Sequence, residues 1–451
     1  MIAPALAPFL APLLSSALPP VQPPPMPDSI FALTLALLLL APLAIAGVAL
    51  INTGLGRSRS AAQSLLGSLV IVAVAVIVFA VVGSAFTGNP PGTAGGAGHS
   101  FRLAGQSWNW LGAAPFLLGG VGSASPHSQL ALLFEFLAVA LAALLPWGSG
   151  MDRWRILAGC AASAVMAAIV FPLAAHWIWA GGWLAQLGLN FDLGAGFLDG
   201  GGAATVHVLG GLSALAVIWI DGPRKGKFPK EGLATAMPGH NAVYVVFGCL
   251  LALVGWLAWN VAGAVLWLHA PQAALAVTAI NTLLSASTAV AATFAVTHVR
   301  FGKPDASLCA NGWLAGLVAS SASAGLVSPP AALFIGLVAG VATPLMVELL
   351  ELALSIDDPS GAVTVHAAGG VWGLFAAGLF APQEGQLVAQ LVGIAALLGL
   401  ALPLLYLLFW LLNRVVPFRV DQDGERIGLD LHELGGGAYP EFVIHRDESY
   451  R

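Results

Sequence analysis

Long uncharged apolar runs recur along nearly the whole chain, and this repetition constrains the fold more than any other feature. A bilayer hydrocarbon core about 30 Å thick is crossed by roughly 20 apolar residues in a helix. Only 8% of the residues are charged and 58% are hydrophobic, against about 25% charged in a soluble domain. Such a chain belongs in lipid, where every backbone amide and carbonyl must be paired within the protein. That requirement leaves helical bundles and closed barrels. Barrel strands show apolar/polar alternation over roughly ten residues, and that pattern is absent. The expected fold class is therefore an all-α polytopic membrane protein. The 54 glycines suit it, because small residues let membrane helices approach closely.

The apolar segments predict eleven spans, at 29–53, 62–84, 125–148, 154–181, 200–220, 240–268, 273–298, 306–326, 330–353, 362–382 and 386–414. Positive charge orients them. With the N-terminus outside, the six inward-facing segments hold 15 of the 16 Lys and Arg residues, and only Arg102 faces out. This bias predicts an N-out, C-in multi-pass protein of the cytoplasmic membrane. Residues 1–28 form an apolar, Pro-rich segment. A cleaved signal peptide would need a basic n-region, which is missing here, and an interfacial N-terminus reads equally well. Residues 29–414 form the membrane domain and 415–451 a polar cytoplasmic tail. The net charge of -5 carries no basic patch that would point to nucleic acid. Cys160, Cys249 and Cys309 lie in or beside apolar segments without metal-ligand spacing and read as small core residues.

One pattern occurs twice. "AATVHVLGGLSAL" begins at Ala203 and "AVTVHAAGGVWGL" at Ala362, which places His207 in the fifth span and His366 in the tenth. Spans one to five and six to ten then read as two copies. An odd helix count per copy inserts them upside down to each other, with one extra helix at the end. Inverted repeats build a shared site near the bilayer midplane. A lone histidine in an apolar helix is usually a packed core residue, but ionisable groups at mid-membrane commonly face a pathway. Two neutral imidazoles can share an N–H···N bond and hand along a proton or a small polar molecule. A metal site would need further ligands at suitable geometry, and neither histidine has a Cys or carboxylate at helical spacing. No nucleophile–base pair suggests an enzyme, and no cofactor is implied.

These residues and their neighbours resemble the ammonium transporter/Rhesus (Amt/Rh) family, on its bacterial Amt side. "GVALINTGLGRSRS", "HWIWAGGWL", "DGGGAATVHVLGG", "GWLAWNVAGA", "INTLLSAS", "KPDASLCANGWLAGLV", "IDDPSGAVTVH" and "GLDLHELGGGAY" follow in family order from about Thr34 to Tyr439. The resemblance implies a homotrimer of eleven-helix protomers, each with its own pore for ammonium or ammonia. It assigns His207 and His366 to the twin histidines of the pore. Trp179 becomes the vestibule tryptophan that faces the incoming cation, by a cation–π attraction of about 0.5–2 kcal/mol. Alone, Trp179 reads equally as an interfacial aromatic anchor. Asp199 matches the family's aspartate, and Asp followed by three glycines at a helix start also reads as a cap.

Departures from the family pattern matter. Of the two phenylalanines usually stacked over the pore entrance, one falls on Ala138 and the other on Trp259, so Trp259 is expected to fill both places. Phe136 should point elsewhere. The vestibule serine falls on Gly263. Glu135 stands where glutamine is common, and reads either as an electrostatic replacement for that serine or as an interfacial carboxylate. The family's second aspartate falls on Gly361, so Asp199 is expected to lack a two-fold partner, with Asp357 and Asp358 as cap and loop residues. The tail resembles the segment that couples protomers and meets PII-type signal proteins. The expected function is ammonium transport, with deprotonation at an outer vestibule and passage of ammonia past the histidines. The alternatives are an ammonium sensor on the same fold and a channel for another small molecule.

Overall fold

The computed structural model describes residues 26–88 and 98–439. Most of the N-terminal segment read for a signal peptide and the last residues of the tail lie outside the described residues. Ten described helices are long and apolar enough to cross a membrane. They begin with α1 (Asp28–Leu55), α2 (Ser58–Thr87), α3 (Pro126–Ser149), α4 (Ile156–Ile178), α5 (Ala203–Asp221), α6 (Ala242–Trp267) and α7 (Gln272–Phe301). After the shorter α8 (Ala306–Ser321) come α9 (Pro329–Ala353), α10 (Val363–Phe380) and α11 (Gln386–Val415).

The span expected at 306–326 is thus shorter than predicted. Its 16 residues rise about 24 Å, and turns complete the segment. The amides of Ser323 and Ala324 both return to the Ser320 carbonyl, which closes the helix there.

Burial orders the bundle. In α3 and α5, 83% of the most apolar window is buried inside the protein, against 28% in α2 and 33% in α11. α3 and α5 are therefore central, and α2 and α11 lie outside.

A β-hairpin, β1 (His99–Leu103) and β2 (Gln106–Leu111), interrupts what the sequence presents as a Gly/Pro-rich loop. Ala104 and Gly105 both have positive φ, 53° and 78°, as a two-residue type I′ turn requires. Gln186 Oε1 accepts from the Asn109 amide at 2.8 Å and Trp177 Nε1 donates to the Trp110 carbonyl at 2.9 Å, which fastens the hairpin over the end of α4.

The tail packs against the opposite end of the bundle. Asp430 accepts from the Gln63 amide at 2.8 Å, in the first turns of α2. Glu433 accepts from the Ile156 amide at 3.1 Å, at the start of α4. Carboxylates are favoured at helix N-termini, where unpaired amides leave a partial positive charge. Beside them lies a buried ion cluster. Asp357 binds Arg224 through both oxygens at 2.9 Å, Arg153 lies 3.5 Å from Asp357 and 3.4 Å from Asp221, and Arg224 lies 3.3 Å from Asp152. Burial alone would raise the Asp357 carboxyl. The bonded Arg224 and the nearby Arg153 outweigh it and hold the group at about 2.

Candidate functional site

α5 and α10 carry the repeated motif, and their local structures match step by step. Each opens in a π-helical turn that contains its histidine, Ala203–Val208 and Val363–Ala368. Such turns are rare and frequently mark functional sites. Five residues before each histidine stands a glycine of positive φ, Gly202 at 83° and Gly361 at 71°. Eight residues before each stands an aspartate. Asp199 Oδ2 accepts from the amides of Ala204 and Thr205 and from the Thr205 hydroxyl, all at 3.0 Å. Asp358 Oδ2 accepts from the Val363 amide at 2.7 Å, and its Oδ1 from the Ser149 hydroxyl at 2.7 Å. Asp358 is therefore the partner of Asp199 that the sequence reading takes to be absent. That reading counts back five residues to Gly361, where a side chain would be strained at this φ. Burial pushes the Asp199 carboxyl up to about 6, against the pull of its hydrogen bonds.

The two aspartates mark opposite ends of the bundle. Ala131, near the start of α3, lines a cleft with Asp199, whereas Asp358 meets Ser149, the last residue of α3. Those α3 positions are separated by about 27 Å of helical rise. α5 and α10 thus run in opposite directions, and the glycines of the motif let them touch. A Cβ on Gly211 would lie 2.3 Å from the Ala367 amide nitrogen, and one on Gly370 would lie 2.7 Å from Val208. Each second glycine packs against the residue after the opposite histidine. This crossing is the physical reason for the repeated His-x-x-Gly-Gly pattern.

It brings His207 and His366 together in the interior, 1% and 4% exposed. Their ring centroids are 5.2 Å apart and the planes 27° from parallel. Nδ1 of each ring has no hydrogen-bond partner, so the expected N–H···N bond is not made through these atoms. Trp256 covers the other side of His207, 5.0 Å away and 14° from parallel, and donates to the Ser321 hydroxyl at 3.0 Å.

Toward the Asp199 end lies a cleft of about 120 Å³, lined by Trp179, Trp267, Asp199, His127 and His269 among others. Trp179 and Trp267 stack, 4.9 Å apart and 7° from parallel. Trp179 donates to the Asp199 carbonyl at 2.7 Å, and Trp259 to the Gly201 carbonyl at 3.0 Å. Phe134 sits between them, 5.4 Å from Trp179 and 4.8 Å from Trp259. The ring beside Trp259 is thus Phe134, one helical turn before Ala138. Phe136 turns away to pack on Phe79 at 5.4 Å. Glu135 is fully buried on α3 and is not among the residues that line the cleft.

Gly263 is shaped by contact. A Cβ there would meet the Gly200 carbonyl oxygen at 2.1 Å, so α6 lies directly on the loop that leads into α5. That loop is clamped from α11. Gln386 accepts from the Ala195 amide at 3.1 Å and donates to the Gly196 carbonyl at 2.7 Å. Gln390 accepts from the Leu198 amide at 2.8 Å and donates to the Leu198 carbonyl at 2.9 Å.

Sequence reasoning missed Phe134, Trp256, Trp267, Asp358 and the two glutamines. Trp256, Trp259, Gly263 and Trp267 share one helical face, and Asp358 repeats the eight-residue spacing of Asp199, so both signals were present. Nothing local marks the glutamines. Chemically, stacked indoles and a carboxylate attract a small cation, and the buried rings of Phe134 and Trp259 beside them penalise charge.

Residues 30–439 match the model of the Ammonium Transporter Family. Ammonium transporter Amt2 of Archaeoglobus fulgidus is 33% identical over 427 residues, 89% of this chain and 86% of that protein. The ammonium transporter of Bacillus subtilis is 29% identical, over 92% of this chain and 98% of that one. Among solved structures, one named Sensor Amt Protein superposes with a TM-score of 0.80 at 26% identity, over 90% of this chain and 98% of that chain. Saccharomyces cerevisiae Mep2 shares the fold, with a TM-score of 0.71 at 24% identity over 88% of this chain and 91% of that one. This chain is a polytopic membrane protein of the ammonium transporter family.

Proposed function

We propose that the protein carries ammonium across the cytoplasmic membrane by stripping its proton at the cleft and passing ammonia between α5 and α10. The carrying observation is the buried His207–His366 pair, joined by a glycine crossing and set below an aromatic-lined cleft. Ammonium reaches Trp179 and Asp199 as a cation. Moving a full charge down a dry column is expensive, and loss of the proton removes most of that cost. Ammonia then passes Phe134 and Trp259 and meets the histidines, whose polar nitrogens suit a small neutral hydrogen-bonding molecule. In this reading α8 also crosses and brings the spans to eleven, the tail end is cytoplasmic and the N-terminus lies outside. The working form is a homotrimer, and the docked tail is the surface for a PII-type partner.

A second reading, an ammonium sensor, is favoured by one feature. The column is filled, with Trp256 stacked on His207 and Phe134 tilted against Trp259, and a structural relative is named as a sensor. Growth of a cell lacking its own ammonium uptake separates the two. Transport predicts that this chain restores growth on limiting ammonium and that His207→Ala with His366→Ala abolishes it. Failure of the properly inserted wild type to restore growth supports the sensor.

A further inference from the structure

We propose that His127 and His269 are the bases that take up the proton shed by ammonium at the cleft, and that they return it to the water outside. The inference rests on the transport reading and names an acceptor that the reading leaves open. Both imidazoles line the cleft with Trp179 and Asp199, and their ring centroids lie 6.1 Å apart. His127 Nε2 faces the Leu266 carbonyl at 3.3 Å. A carbonyl only accepts, so that nitrogen carries the hydrogen and Nδ1 holds the free lone pair. His269 is exposed at the end of α6, and His127 is half-buried. The pair thus spans the distance from the cleft to solvent.

The ionisable groups on the cleft wall are His127 from α3, Asp199 from the loop before α5 and His269 after α6; Ile178 ends α4 and Trp179 follows it. Indoles do not accept a proton. Asp199 is only 2% exposed and commits one oxygen to the start of α5. A proton placed there would weaken the cap and would lack a direct way out. In the proposed step an N–H bond of ammonium breaks, its electron pair stays on ammonia, and the proton joins the imidazole lone pair. The imidazolium then gives that proton to water, and ammonia moves inward. In water the transfer to imidazole runs uphill. Escape of the proton to water and departure of ammonia inward draw the transfer forward.

The test uses full-length protein in liposomes, with ammonium uptake followed from external pH 5 to 8 for wild type, His127→Gln, His269→Gln and the double variant. Wild-type uptake should fall toward the acid end of this range, because a base that already holds a proton cannot accept another. The double variant should lose that fall and at least about tenfold of its rate at pH 7.5. A double variant with the wild-type rate and pH profile overturns the proposal and leaves the transport reading intact. Wild type without uptake at any pH overturns both. If the double variant does not fold, His269→Gln at its exposed position carries the test, and an unchanged pH profile in that variant overturns the proposal.

Discussion

Gly263→Ser is the substitution that most sharply separates reasoning from resemblance and reasoning from structure. Resemblance places a vestibule serine at this position, so the change should restore a hydrogen bond to the cation, worth about 1.5–3 kcal/mol. The structure predicts damage. The new Cβ would lie 2.1 Å from the Gly200 carbonyl oxygen and 2.9 Å from the Gly200 carbonyl carbon. Ordinary contact begins near 3.4 Å, so α6 or the loop must retreat by about 1.3 Å. Overpacking of this kind costs about 1–3 kcal/mol or more. The retreat also shifts Gly201, whose carbonyl accepts from Trp259, and Asp199, whose carbonyl accepts from Trp179. Thermal unfolding in detergent should therefore shift down by roughly a few degrees. Ammonium uptake should fall, with the half-saturating concentration rising. A variant with unchanged melting and a lower half-saturating concentration would refute the packing argument.

Gly211→Ala and Gly370→Ala should each push α5 and α10 apart at the histidines, because the added methyl group would meet the facing helix at 2.3 and 2.7 Å. Displacements near 1 Å at a reacting site can lower rates by about 100-fold, so uptake in liposomes should drop by at least tenfold in each. Gln390→Met strips both hydrogen bonds from the Leu198 backbone, at about 1–3 kcal/mol per group left unpaired. It loosens the loop carrying Asp199, so the half-saturating concentration should rise more than the maximal rate falls. Asp357 is held at about 2, below its ordinary value near 3.9. A depressed carboxyl stabilises the fold above its unfolded pKa, and that stability is lost as pH falls from about 4 toward 2. The loss is about 2 kcal/mol and is measurable as a falling melting temperature, and Asp357→Asn should flatten that dependence while lowering stability at pH 7.

Much of this was legible in the chain because membrane helices announce themselves by length and apolarity, and the His-x-x-Gly-Gly repeat states its own symmetry. The two histidines could be paired from sequence since an inverted repeat must bring equivalent positions together. What stayed hidden depends on which side of a helix faces inward. Phe134 and Phe136 are equally apolar, and only the rotation of α3 decides that Phe134 meets Trp259 and Phe136 meets Phe79. Gly263 reads as a missing serine until the Gly200 carbonyl is seen to occupy the space. The β-hairpin was obscured by the Gly/Pro-rich composition just before it. Gln386 and Gln390 act on a loop almost two hundred residues away in sequence, which no local pattern reports.

The most direct test of the central claim is the response of sealed liposomes to an ammonium pulse, with membrane current and internal pH recorded together. It should be made for wild type and for the double variant His207→Ala/His366→Ala. The account predicts ammonium-dependent transport in wild type, seen as a current or as an internal pH rise, that is lost or no longer selective in the double variant. Equal and equally selective transport in the two proteins would contradict it.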